Sequence, residues 1–296
     1  MARKLPQLKG VKHRFEVLDG MRTHVAMSGH GDPVVLLHGF PQHWYAWRSV
    51  MPLLADRYRV LAPDMRGFGW TDIAWKGFEK ENLADDVIRL LDAMELDRVR
   101  VVGHDWGGWI GFLLALKHPD RIERLVALNV PPPWPRATPR NLLAARGLWY
   151  QAVLATPFLG QKLLEKDPTL VRRMMRRWSA SGSAWTREDF RIFSRELRAP
   201  TRSRAAMLLY RSFLLRELFP VLRGRYDPAS LRVPSLLLYG GKDGVVPARW
   251  IHAGADRSDR LEVEKVSGAG HFLPEEKPKV VAKRVLAFFD GNGASA

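Results

Sequence analysis

Apolar and polar positions alternate from Phe15 to Met27 around Asp19-Gly20, a pair that favours a two-residue hairpin turn. The pattern then changes to short apolar runs: Val34 to Leu37, Arg59 to Pro63, Val99 to Val102, Leu125 to Leu128, Leu236 to Tyr239 and Leu261 to Val266. Runs of this length, bounded by Gly or Pro, predict strands buried on both faces. Between them, Leu83, Val87, Leu90, Leu91 and Met94 recur at helical spacing, as do Val280, Val281, Val285, Phe288 and Phe289. Strand and helix in alternation predict a mainly parallel α/β sheet flanked by helices, with an antiparallel hairpin at one edge.

One connection breaks this rhythm. About 100 residues lie between the run ending near Val130 and the run beginning near Ser235, far more than an ordinary crossover. Pro131-Pro132-Pro133 opens the segment, Asp227-Pro228 lies near its end, and Val171, Met174, Met175 and Trp178 give it a helical stripe. Residues 131–228 therefore read as an inserted helical lid above the C-terminal strand ends, where open α/β sheets bind ligands. Residues 1–130 and 229–296 form the expected catalytic domain.

Composition sharpens this picture. With 46% hydrophobic and 26% charged residues in 296, the chain has globular composition, which excludes a low-hydrophobicity disordered chain. The formal net charge of +16 points towards polyanions or an anionic membrane until it is located along the chain. Nineteen Lys and Arg against seven Asp and Glu fall within 131–228, so +12 of the charge belongs to the expected lid and +4 to the rest. Arg172-Arg173 and Arg176-Arg177 sit opposite the apolar stripe, a pattern suited to an anionic surface; the plainer reading is a solvated face, and no nucleic-acid partner is expected. The chain has no cysteine, which excludes disulfides, thiolate metal sites and a cysteine nucleophile. The start, Met1 to Pro6, is basic but lacks a following apolar run, and the longest apolar stretch, Trp109 to Leu116, is far below the ~20 residues of a membrane span. A soluble, cytoplasmic protein is expected.

The sharpest motif is Gly103-His104-Asp105-Trp106-Gly107-Gly108, directly after a run that predicts a strand and directly before a helical stretch. Such a turn exposes its central side chain above the sheet and needs glycine where strand and helix backbones nearly touch. The nucleophile position holds Asp105, which excludes a serine-type esterase. His38-Gly39-Phe40-Pro41 closes an earlier strand, so the Phe40 and Trp106 amides can form an oxyanion hole. Asp243 and His271 each follow a later predicted strand, giving the chain order nucleophile, acid, histidine.

On these residues the chain resembles the α/β-hydrolase superfamily and, within it, the epoxide hydrolases. The resemblance covers nearly the whole chain and rests on His38-Gly39-Phe40-Pro41, Asp64-Met65-Arg66-Gly67-Phe68-Gly69, the Gly-His-Asp-Trp-Gly-Gly turn and Gly270-His271. It implies an α/β-hydrolase fold and two lid tyrosines over the nucleophile, for which Tyr150 and Tyr210 stand in the sequence. The Tyr210 match departs from the family's Asn-aromatic-Tyr-Arg form, since Leu208-Leu209 precede it.

The chemistry implied is a two-step hydrolysis. Asp105 attacks a ring carbon while Tyr150 and Tyr210 donate to the epoxide oxygen; His271, oriented by Asp243, then activates water against the resulting ester. No metal or cofactor is required, and the expected partners are a small apolar epoxide and water. Trp44, Phe68 and Trp106 are candidates for lining the substrate cavity, with Trp47 beside them; core packing is the competing reading for Trp44, Trp47 and Phe68. His104 is expected to pack or hydrogen-bond locally, His38 to brace its loop, and Asp64 and Arg66 to act as a loop-fixing pair. The nearest alternative is a haloalkane dehalogenase, which uses the same aspartate ester; Trp106 fits a halide donor there, but Phe40 supplies no side-chain donor, and Asn129-Val130-Pro131 stands where many such enzymes carry their acid.

Overall fold

A computed structural model describes residues 4–135, 149–255 and 257–291. The Asp19-Gly20 turn joins β1 (Lys12–Leu18) to β2 (Met21–Ser28), with both turn residues at positive φ. The six later runs form β3 (Asp32–Leu37), β4 (Tyr58–Pro63), β5 (Val99–His104), β6 (Ile122–Leu128), β7 (Ser235–Gly240) and β8 (Leu261–Val266). They assemble into one eight-stranded sheet of order β1-β2-β4-β3-β5-β6-β7-β8. β2 is antiparallel to β1 and β4, and every other pairing is parallel. The expected mainly parallel sheet with an antiparallel edge hairpin is what forms.

Strand side chains alternate between two cores. Val35, Leu37, Leu61, Val101, Leu125, Ala127 and Leu237 pack against α2 (Lys80–Ala93) and α3 (Trp106–Lys117). Val34, Leu36, Val60, Ala62, Val102, Val126, Leu128 and Leu238 pack on the opposite face with α1 (Met51–Ala55) and a C-terminal helix, Pro278–Phe289. Each large apolar side chain buried this way contributes roughly 1.5–3 kcal/mol, which explains why central strands are apolar on both faces. Val280 departs from the expected helical stripe and is exposed, because Val281 takes the core-facing position one residue on.

Helices fill the described part of the long connection. They are α4 (Trp149–Ala155), α5 (Leu159–Lys166), α6 (Leu170–Trp178), α7 (Arg187–Leu197), α8 (Pro200–Ser212) and α9 (Leu218–Leu222), with a π-helical turn at Phe213–Glu217. α4 and α5 both pack on α8. Residues 136–148, which carry Arg136, Arg140 and Arg146 of the expected lid, lie outside the described residues, as do Met1 to Arg3. α10 (Ala248–Ala255) follows β7, and α11 (Leu273–Glu276) and α12 (Pro278–Phe289) complete the described chain. Among the described residues no helix is long and apolar enough to cross a membrane.

Parallel register brings the functional loops to one edge. Leu37 pairs with Gly103, His104 with Leu128, and Leu128 with Leu238, so β3, β5, β6 and β7 end side by side. The loops carrying Phe40, Asp105, Asn129 and Asp243 begin there.

Candidate active site

Asp105 caps the N-terminus of α3 at φ 51° and ψ −121°, a backbone conformation that L-residues rarely adopt. Its amide donates to Leu128 O at 3.0 Å, and the Trp109 amide donates to Asp105 O at 3.0 Å, so neighbouring strand and helix together hold the strained turn. A Cβ at Gly107 would strike the Leu37 and His38 carbonyls, and one at Gly39 would strike the Asp105 side chain. Both positions therefore require glycine, for close approach and not for turning.

The two carboxylate oxygens of Asp105 have different surroundings. Oδ2 accepts from the Phe40 amide at 2.9 Å, and Oδ1 lies 3.8 Å from His271 Nε2. The Trp106 amide also donates to this carboxylate. Burial raises the Asp105 pKa, and the nearby His271 charge and these two amides oppose the rise.

On the other side of the imidazole, His271 Nδ1 lies 3.1 Å from Asp243 Oδ2. Asp243 Oδ1 accepts from the Val245 and Val246 amides at 2.7 and 3.0 Å, and Asn129 Nδ2 donates to Oδ2 at 2.7 Å. Burial works against the Asp243 charge, but His271 and these donors outweigh it and hold the pKa below the ordinary range. Burial likewise opposes a charged His271; the Asp243 and Asp105 carboxylates overcome it, and the net shift is upward. An imidazole anchored at Nδ1, with Nε2 turned towards a carboxylate, can take a proton from a water placed between them.

The helical insertion covers this group. Tyr210, at the end of α8, meets the Phe40 ring edge-on at 5.2 Å and the Trp106 ring at 5.8 Å. Tyr150, at the start of α4, lies 4.7 Å from the Trp178 ring and 6.1 Å from the Tyr210 ring, centroid to centroid, and the two phenols hydrogen-bond each other. Burial raises both phenol pKa values above their usual range, and the Asp105 charge adds to the rise. Both hydroxyls thus keep their protons beside a carboxylate.

The structure brings together Asp105, His271, Asp243, Phe40, Trp106, Tyr150 and Tyr210. Phe68 is buried in the same core, edge-on to His38. Trp44 is placed elsewhere: with Trp47 it packs in the core on the α1 and α12 face, against His13 and Tyr45. Asp64 and Arg66 each fix a loop but do not pair with one another. Asp64 accepts from the Trp44 and Trp70 amides and contacts His24 Nδ1 at 2.7 Å, whereas Arg66 forms a two-pronged bond to Asp86. Nearby positions on a tight turn can point their side chains apart, which separates these two. His38 Nε2 accepts from the Met65 amide at 3.0 Å and so ties two strand-end loops together. His104 Nε2 lies 2.8 Å from His271 O, and burial drives the His104 pKa down to about 3, so the ring is a neutral support.

Two residues named in the sequence without a role in the site take one in the structure: Asn129, which also donates to Gly270 O at 3.1 Å, and Trp178, whose carbonyl accepts from the His271 amide at 2.8 Å. For Asn129 a signal was available: a polar residue directly after an apolar strand, at the sheet edge that carries the other loops. Trp178 acts through its backbone and left no side-chain signal.

Comparison with known proteins agrees with this geometry. A family model described as the alpha/beta hydrolase fold matches residues 32–278. A soluble epoxide hydrolase of Corynebacterium sp. (strain C12) is 33% identical over 293 residues, covering 94% of this chain and 97% of that protein. An AB hydrolase superfamily protein of Bacillus subtilis (strain 168) is 28% identical, covering 95% and 99%. Among solved structures, the epoxide hydrolase CorEH without ligand superposes with a TM-score of 0.85 at 31% identity, covering 95% of this chain and 99% of that one. The chain is thus a hydrolase by fold and kinship, and it belongs to the α/β-hydrolase superfamily.

Proposed function

We propose that the protein hydrolyses a small apolar epoxide to a vicinal diol through a covalent ester on Asp105. The observation that carries this reading is the pair of hydrogen-bonded phenols, Tyr150 and Tyr210, kept protonated beside the Asp105 carboxylate. Epoxide opening releases an alkoxide, and two neutral acids above a carboxylate answer that need. The relatives named as epoxide hydrolases support the same assignment.

Asp105 Oδ1, which faces His271 Nε2 while Oδ2 accepts from the Phe40 amide, attacks a ring carbon. The carbon–oxygen bond of the epoxide breaks, and a phenol proton goes to the departing oxygen. His271 then takes a proton from water, whose oxygen adds to the Asp105 carboxyl carbon. Negative charge develops on Oδ2, already opposite the Phe40 amide, where an oxyanion-hole donor is worth roughly 3–4 kcal/mol. Collapse breaks the bond from that carbon to Oδ1, and the His271 imidazolium protonates the departing Oδ1 as the diol leaves carrying it. The remaining water proton restores the phenol, so that Asp105 regains its carboxylate with one oxygen from water. Residues 131–228 act as the lid that delivers the two phenols and keeps bulk water from the ester, and no metal or cofactor enters the scheme.

Single turnover in ¹⁸O-water tests the route: label should enter Asp105 before product, and label passing straight into product would exclude the ester. Asp105→Ala should abolish turnover, while His271→Gln should accumulate the ester. A dehalogenase reading has one observation in its favour, the buried Trp106 indole N–H, which is turned towards Tyr210 in the site and is a donor that halide would use. Consumption of bromo- or chloroalkanes with styrene-type epoxides untouched would decide for it.

A further inference from the structure

Five of the arginines of the helical insertion line one groove. Arg187, Arg191 and Arg195 of α7 and Arg198 at its C-cap follow one another at steps of four, four and three, which places them on one face. Arg172 of α6 stands across from them, and the five guanidinium groups line a groove of about 760 Å³. This differs from a uniformly solvated basic face on α6: Arg173 is paired with Asp167 at 2.6 Å, and Arg176 lies over the Phe190 ring.

Two carboxylates adjoin the groove, Glu165 in its wall and Glu188 beside Arg191, against five arginines. Glu188 is bonded to Arg191, and the Glu165 side chain accepts from Ser203 Oγ at 2.6 Å. Ser194 lies in the groove wall, 9% exposed, and its hydroxyl has no hydrogen-bond partner. Arg191 is paired with Glu188, which leaves Arg187 and Arg195, two helical turns apart, as the guanidinium groups of α7 that an anion in the groove would bridge. From Arg187 to Arg198 the helix rises roughly 16 Å, too far for a single phosphate to bridge. Guanidinium forks match phosphate oxygens two at a time. The concave shape suits a discrete ligand better than a flat bilayer.

We propose that this groove is a binding site for a compact polyphosphorylated anion, one carrying two or more phosphate groups. The site stands on residues separate from those assigned to epoxide hydrolysis, so it does not depend on that reading. The phosphate groups could come from a free polyphosphate or from lipid headgroups, and the experiment separates these sources.

Inorganic tripolyphosphate is titrated into the full chain by calorimetry at 50 and 200 mM NaCl. Binding is expected at the lower salt, with at least a tenfold loss of affinity at the higher. An Arg187→Gln/Arg195→Gln variant changes exposed side chains, so its thermal midpoint in the absence of ligand should match the parent while affinity falls at least tenfold. Co-sedimentation with phosphatidylserine vesicles that tripolyphosphate displaces would support a headgroup source at the same site. Absence of binding at 50 mM NaCl, or equal affinity in the variant, overturns the proposal. Vesicle or single-stranded DNA binding that tripolyphosphate cannot displace also overturns it, because the charge would then serve a different surface.

Discussion

Asn129 and His271 meet on the same oxygen of Asp243, at 2.7 and 3.1 Å. The carboxylate that orients the imidazole is itself fixed from the side by an amide at the end of the neighbouring strand, β6. Removing one hydrogen bond to a buried charged group costs about 1.5–3 kcal/mol. Asn129→Ala is therefore expected to slow ester hydrolysis by about tenfold or more, since ~1.4 kcal/mol is a factor of ten. Pre-steady-state kinetics should place the loss in this step, with alkylation of Asp105 spared.

Stability and activity should respond to pH in opposite directions through His271. Its folded pKa is raised, so its contribution to stability is full below the ordinary value of about 6.5 and is lost as pH climbs through the folded value. As a base the ring must be neutral, so ester hydrolysis should gain rate across that interval. The difference in thermal midpoint between the parent and His271→Gln should shrink from pH 6 upward while the rate rises. A kinetic midpoint below about 6.5 would contradict the upward shift.

Replacing one phenol should hurt less than replacing both. Tyr210→Phe or Tyr150→Phe leaves one proton donor and is expected to cut the alkylation rate by roughly 10²-fold, while the double variant falls further. Because burial raises both phenol pKa values, no alkaline loss of alkylation is expected up to about pH 10. Stopped-flow tryptophan fluorescence, with eleven tryptophans in the chain, gives the readout.

Lys80 and Glu217 fasten the helical insertion to the sheet domain. The fully buried Lys80 ammonium shares its three N–H donors among Phe78 O, Leu209 O, Ser212 Oγ and Glu217 Oε1, at 3.1, 2.8, 3.0 and 2.9 Å. Lys80→Met strands the Glu217 charge and should cost about 3–5 kcal/mol, a fall of roughly 10 °C in thermal midpoint. Adding Glu217→Leu should recover most of that loss. A double variant no more stable than Lys80→Met alone would show that the pair is not coupled.

Much of the architecture was legible because it is written locally. Eight strand segments could be read from runs and alternation, since a central strand buried on both faces is apolar along most of its length. β8, at the sheet edge, departs from the expected two-sided burial, with Glu262 and Glu264 half-buried and Lys265 exposed. The glycines around Asp105 announced a crowded strand-to-helix turn for the same reason: no other residue fits where Leu37 and His38 carbonyls abut Gly107. Charge is additive along the chain, so its concentration in the insertion follows from residue order alone.

What the chain alone left open were the choices between partners. Trp44 and Phe68 look equally suited to a cavity wall, but the sheet separates them into different cores. Arg66 lies two residues from Asp64 yet binds Asp86, and Asn129 finds Asp243, 114 residues away. Tyr150 and Tyr210 come together only because α4 packs on α8, and five arginines become a groove only because α6 and α7 lie side by side. Periodicity states which face of an element is buried. The identity of what meets that face depends on strand register and helix packing, which are settled by the whole set of non-local contacts at once and leave no local trace in the sequence.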